Sequence, residues 1–257
     1  MSFDLNSLRL KVPKVLRIKI FADGADRDAI LKRYDDPNIA GFTTNPTLMK
    51  KSGVTDYEAF AKDVLSVVKN KQISFEVFSD EFDEMEAQAK EISSWGENVV
   101  IKIPITNTKG EGSHKLIERL AKAGVKLNVT AMTTVAQVKS IAPLLGKGNG
   151  GIASVFAGRI ADSGRDPAPV MKECLQELKA YPNTELLWAS PRELYNLIQA
   201  EDIGCQIITM TEDLLKKMPL LGGDLDQVSL DTVNMFYNDA RAAGFNIRTS
   251  AAALVGE

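Results

Sequence analysis

The chain is poor in the residues that most enzymes use for metal binding and nucleophilic triads. It has one histidine, His114, and two cysteines, Cys174 and Cys205. A single histidine excludes a histidine-rich metal centre and leaves little support for a Ser-His or Cys-His triad. His114 follows a loop and starts a helical run, so it reads as a surface residue. The cysteines are far apart and lie in no C-x-x-C spacing, which excludes a disulfide framework and a zinc site. Both sit in apolar runs and read as small core hydrophobes. Acid–base chemistry must then fall to carboxylates, hydroxyls and lysine, and neither a metal nor an organic cofactor is expected. No apolar run is long enough for a membrane span. The opening stretch MSFDLNSLRLKVPKVLRIKI mixes basic and apolar residues without the apolar segment of a secretory signal, so a cytoplasmic protein is the default expectation. There is no basic excess either. A net charge of -3 argues against a general nucleic-acid binder.

No low-complexity stretch or Pro/Gly/Ser linker marks a domain boundary. One domain is therefore expected over residues 1–257, with 44% hydrophobic and 25% charged residues to build it. Short β-like runs recur along it: LRIKIFADG, AGFTTNP, ISFEVF, VVIKIPI, KLNVTAM, IASVFAG, TELLWAS and CQIITMT. Amphipathic helical patterns separate them, among them YEAFAKDVLSVVKN, DEMEAQAKEISSWG, PVMKECLQELKAY and HKLIERLAKAG, the last closed by a glycine stop signal. Strands alternating with helices imply βαβ units and a parallel sheet. Eight units in a chain of this length predict a (β/α)8 TIM barrel. The alternative, an open doubly wound sheet, usually carries a G-x-G-x-x-G loop after its first strand. Here that place holds ADGADRD. A further helix, LDTVNMFYNDARAAG, and a tail occupy the C-terminal segment from about residue 226. Leu230, Val233, Tyr237 and Ala240 form its apolar stripe, suited to cover the barrel mouth or a neighbouring subunit.

In such a barrel, function sits at the C-terminal ends of the strands. Side chains alternate along a strand, so polar residues in steps of two share a face. That places Asp23 with Phe21, Thr43 and Asn45 with Gly41, Glu76 with Ser74, and Asn128 and Thr130 together. Strand six presents Ser154 and Phe156 with Arg159 just beyond, and strand seven aligns Leu186, Trp188 and Ser190 with Arg192 beyond. The most telling residue is Lys102, in NVVIKIPI. A lysine among valines and isoleucines must lose its charge or find partners. Simpler readings exist for the others. Asp23 suits a helix cap, Asn45 a turn and Thr130 a strand, while Arg159 with Asp162, or Arg192 with Glu193, suits a surface pair. Seven polar residues converging on one mouth, Asp23, Asn45, Glu76, Lys102, Asn128, Thr130 and Ser190, nevertheless describe a site.

These motifs resemble the transaldolase family of class I, Schiff-base aldolases. The matching stretches are FTTNPTLM, VVIKIP, KLNVTAM, SVFAGRIAD and WASPREL. The combination of T-T-N-P, a lysine in I-K-I-P and F-x-G-R-I-x-D is specific where each alone is weak. The chain departs from the pattern at Pro191, where relatives commonly carry phenylalanine. The resemblance implies transfer of a dihydroxyacetone unit from a ketose phosphate, such as fructose 6-phosphate or sedoheptulose 7-phosphate, to an aldose phosphate. It implies a role in carbohydrate metabolism such as the pentose phosphate pathway, sugar phosphates as the partners, and a homo-oligomer.

Carried over by residue, Lys102 is the Schiff-base lysine and Asp23 the proton-transfer carboxylate. Glu76 and Thr130 handle the catalytic water, and Asn45 and Asn128 contact substrate hydroxyls. Arg159, Ser190 and Arg192 bind phosphate, with Thr43, Ser154 and Phe156 completing the substrate site. A sister branch resembling fructose 6-phosphate aldolase carries glutamine in place of Glu76 and tyrosine in place of Phe156, so both positions here favour the transferase. A lyase on the same scaffold and a non-catalytic sugar-phosphate sensor are the alternatives, and a sensor would have no use for Lys102, Asp23 and Glu76 together.

Overall fold

The structure, a computed structural model, describes residues 16–247. Most of the opening stretch and the end of the tail lie outside that range. The described residues form two compact units, 16–218 and 219–247.

The first unit is a closed barrel of eight parallel strands in sequence order. They are β1 (Lys19–Asp23), β2 (Ile39–Thr43), β3 (Gln72–Glu76), β4 (Val99–Pro104), β5 (Leu127–Met132), β6 (Gly151–Val155), β7 (Thr184–Trp188) and β8 (Ile207–Thr211). Each corresponds to one of the eight runs read from the sequence, and β1 pairs with β8 to close the ring. Closure leaves no place for the doubly wound sheet.

Helices fill the connections, and five of the ten barrel helices begin where a side chain satisfies an orphan backbone N–H. Asp26 caps α1 (Arg27–Tyr34), Asn45 caps α2 (Pro46–Lys51), and Asp56 caps α3 (Tyr57–Val67). The next two are α4 (Phe82–Ser93) and α5 (His114–Lys122), the latter ended by Gly124 at φ +80°. A capping box between Thr134 and Gln137 opens α6 (Val135–Gly146). The remaining barrel helices are α7 (Ala157–Asp162), α8 (Pro167–Leu178), α9 (Tyr195–Asp202) and α10 (Glu212–Leu215). Both cysteines are buried, as expected of core residues, and His114 hydrogen-bonds Ser140 at 2.8 Å near the surface.

Part of the barrel interior is apolar. Phe21, Ile152, Leu187, Ala189 and Ile207 pack together there, with Phe156 against them. Gly41 makes room for this cluster, since a Cβ on it would stand 2.8 Å from the Phe21 ring. Strand alternation sends Ile20, Phe42, Phe75, Ile101, Ile103 and Val129 outward beneath the helices, where all are buried.

One face was misassigned by the sequence. Leu187 is registered with Ser154 on one side and Ile207 on the other, and it packs inside with Ala189. Leu186 and Trp188 therefore face the helices. Counting back from Ser190 in twos fails because Ser190 lies at φ +61° and leaves the extended conformation.

The second unit contains α11 (Leu225–Ala242), capped by Asp224. Its expected stripe exists, but Leu230, Val233 and Tyr237 are each more than half exposed. Among the described residues, no helix is long and apolar enough to cross a membrane.

Candidate active site

The strand register brings the polar residues to one level. Asp23 is the partner of Thr43, Thr43 of Ser74, Glu76 of Lys102, and Lys102 of Asn128. Lys102 is buried at 6% exposure and resolves the conflict seen in its sequence by finding partners rather than solvent. Its Nζ donates to the Thr44 carbonyl at 2.9 Å and forms an ion pair with Glu76 Oε2 at 3.0 Å. Glu76 is held at the end of β3 by Tyr57, whose hydroxyl donates to the Glu76 carbonyl at 2.8 Å.

Asp23 does not cap α1, because Asp26 does. Its Oδ1 instead accepts from the Thr43 hydroxyl at 2.7 Å. Burial pushes the Asp23 carboxyl above its usual value. Lys102 and the Thr43 hydrogen bond act the other way, and the charge of Glu76 adds to the rise. A carboxyl held so can exchange a proton with a neighbouring hydroxyl.

The opposite wall is a second polar group. Ser154 Oγ donates to Asn128 Oδ1 at 2.7 Å, and Asn128 Nδ2 reaches Ser74 Oγ at 3.3 Å. Asn128 is thereby fully buried with its amide oriented. The Thr130 hydroxyl, one strand step above, is buried and has no partner among the described residues. Asn45 does serve as the cap of α2, accepting from the Leu48 N–H at 3.0 Å. Its amide nitrogen is left for other contacts.

Arg159 lies in α7, after β6, and Ser190 and Arg192 lie in the neighbouring turn after β7. The Gly158 N–H donates to the Ala189 carbonyl at 3.3 Å, and a Cβ on Gly158 would collide with the Ser190 carbonyl. Ser190 and Ala131 are the non-glycine residues of positive φ among those described, and both border the site, where such strain concentrates. Arg192 pairs through Nε with Asp162 at 3.0 Å, and its second guanidinium nitrogen bonds the same carboxylate. This is neither of the pairs weighed from sequence. Arg159 is exposed and forms no ion pair among the described residues.

Sequence reading missed Thr209 on β8, buried and hydrogen-bonded to the Thr43 hydroxyl. Alternation in CQIITMT would have exposed it, since Ile207 and Thr209 share a face. A cavity of about 310 Å³ lies beside the strand ends and reaches Asp23 from α1, α2 and α10.

A family model described as transaldolase/fructose-6-phosphate aldolase matches residues 20–257. The chain belongs to this family. A probable transaldolase of Dehalococcoides mccartyi is 34% identical over 203 residues, covering 78% of this chain and 90% of that protein. One of Thermoanaerobacter sp. strain X514 is 32% identical over 234 residues, covering 90% of this chain and all of that protein. Among solved structures, the tryptophan synthase alpha subunit of Campylobacter jejuni aligns with a TM-score of 0.52. It is 14% identical, with 77% of this chain and 88% of that one covered, a likeness of fold alone. The family is one of enzymes of the transaldolase and aldolase kind.

Proposed function

We propose that the protein is a transaldolase that transfers a dihydroxyacetone unit between sugar phosphates through a Schiff base on Lys102. The observation that carries this reading is a buried lysine amine paired at 3.0 Å to a carboxylate, with its charge acting on a second carboxyl, Asp23, across the barrel.

Glu76 takes a proton from the Lys102 ammonium, and the neutral amine attacks the ketone carbon of the donor. Loss of water, with the proton supplied through Glu76, gives an iminium. Asp23 then accepts the proton of the C4 hydroxyl as the C3–C4 bond breaks. The electron pair moves into the iminium, leaving an enamine on Lys102 and releasing an aldose phosphate. An acceptor aldehyde meets the enamine carbon, and Asp23 returns its proton to the new alkoxide. Water held by Glu76 and the Thr130 hydroxyl hydrolyses the iminium and frees the amine. Each positioned proton transfer of this kind contributes about 10²–10⁴-fold. Asn45 and Asn128 orient the sugar hydroxyls. Arg159, Ser190 and Arg192 take the phosphate, with Arg192 exchanging Asp162 for it.

Transfer requires that the enamine outlive the first product. Phe156 favours this, because it lines the apolar cluster and carries no hydroxyl to protonate the enamine. A lyase releasing dihydroxyacetone is the second reading.

Product analysis separates them. With fructose 6-phosphate and erythrose 4-phosphate the protein is expected to form sedoheptulose 7-phosphate, and to release little dihydroxyacetone when the acceptor is omitted. Steady release without acceptor would favour the lyase.

A further inference from the structure

We propose that Thr209 is a positioning residue for Asp23, acting through Thr43. This deepens the proposed function and rests on it, because it assumes that Asp23 carries the proton.

The geometry points to a directed chain of hydroxyls. Thr43 Oγ1 lies 2.7 Å from Asp23 Oδ1 and within hydrogen-bond contact of Thr209 Oγ1. An ionised carboxylate only accepts, and a hydroxyl has a single proton. The Thr43 proton is thus committed to Asp23, and the proton between the two threonines must come from Thr209. The three groups stand on neighbouring strands, β8, β1 and β2, with Thr209 registered to Phe21 and Asp23 registered to Thr43. Thr43 and Thr209 are both buried, so water does not replace either hydrogen bond.

Two consequences follow. Donation from Thr209 polarises the Thr43 hydroxyl and strengthens its bond to the carboxylate. It also holds Thr43 in the rotamer that fixes one Asp23 oxygen, leaving the other to face the substrate. The charged groups around Asp23 are Lys102 from β4 and Glu76 from β3. Along the adjoining cavity are Asp26 and Arg33 of the α1 region, Lys51 of α2, and Glu212 and Asp213 of α10. Arg33 is bound to Glu212 and Asp36. Replacing Thr209 removes none of these charges, so a change in Asp23 behaviour reports the hydroxyl chain.

The test is the pH profile of kcat for donor cleavage in Thr209→Val, which keeps the shape and loses the hydroxyl. The low-pH limb, where Asp23 becomes protonated, is expected to move to higher pH. At neutral pH kcat should fall roughly three- to tenfold, the usual weight of one hydrogen bond, with the donor KM unchanged. Thr209→Ala should move the limb in the same direction, and Thr209→Ser should restore it. A wild-type limb in Thr209→Val and Thr209→Ala would overturn the proposal. So would a limb in Thr209→Ser displaced as far as in Thr209→Val, since the hydroxyl would then be irrelevant. An Asp23→Asn control distinguishes the two levels. If that control turns over like wild type, the base assignment fails and this proposal falls with it. If it is inactive while Thr209→Val keeps the wild-type limb, only the Thr209 proposal is lost.

Discussion

Lys102 illustrates why a charged residue in an apolar strand is informative. Its neighbours Ile101 and Ile103 are fully buried beneath the helices, so the backbone has no freedom to turn the amine outward. Two partners, Glu76 and the Thr44 carbonyl, then offset the cost of burying the charge. Asp23 is less fully compensated. Its folded carboxyl binds a proton more tightly than the unfolded chain does, because burial outweighs Lys102 and Thr43. The ionised form therefore subtracts from stability, by an amount that grows as pH rises through the folded pKa. Asp23→Asn is expected to melt at a higher temperature than wild type at neutral pH while losing turnover. The gap should narrow as pH falls below the usual aspartate value of 3.8. Thermal unfolding across pH measures this, and a gap that widens on acidification would contradict the assignment.

At the scale of elements, the turns after β6 and β7 matter most. The α7 start and the Ser190 turn interlock because Gly158 has no side chain and the Ser190 carbonyl lies over it. Gly158→Ala must push these turns apart, and with them Arg159 and Arg192. The expected outcome is an increase in KM for phosphorylated donors of about tenfold or more, since such arginines supply charge-assisted hydrogen bonds. Unphosphorylated dihydroxyacetone donors should lose less, and steady-state kinetics with both kinds checks the difference. This interlock also marks where sequence reading ran out. The two-residue period identified the inward faces of β1 to β6, since even β5 stays extended as far as Thr130 and the left-handed Ala131 comes only after it. It failed on β7 because the left-handed Ser190 resets the alternation, and no local residue pattern announces that φ. Thr209 was legible in principle, as one more polar residue on an alternating strand. The pairing of Arg192 with Asp162 was not, because it joins the end of α7 to the turn after β7, segments brought together only by the pairing of β6 with β7.

The whole barrel was legible for a simpler reason. Each strand is an apolar run bounded by turn and cap residues, and eight repetitions of strand and helix admit few closures. The candidate site follows from the strand order, which brings residues scattered from Asp23 to Arg192 to the C-terminal ends of the strands. The helix α11 is different, since its amphipathic pattern shows an apolar face without saying what meets it. The central claim remains chemical, and one trapping experiment tests it directly. The protein is incubated with fructose 6-phosphate, reduced with borohydride and mapped by peptide mass spectrometry. The account predicts a three-carbon adduct on Lys102, absent from a folded Lys102→Met variant that has lost turnover. An adduct on another lysine, or turnover of the donor with Lys102 unmodified, would contradict it.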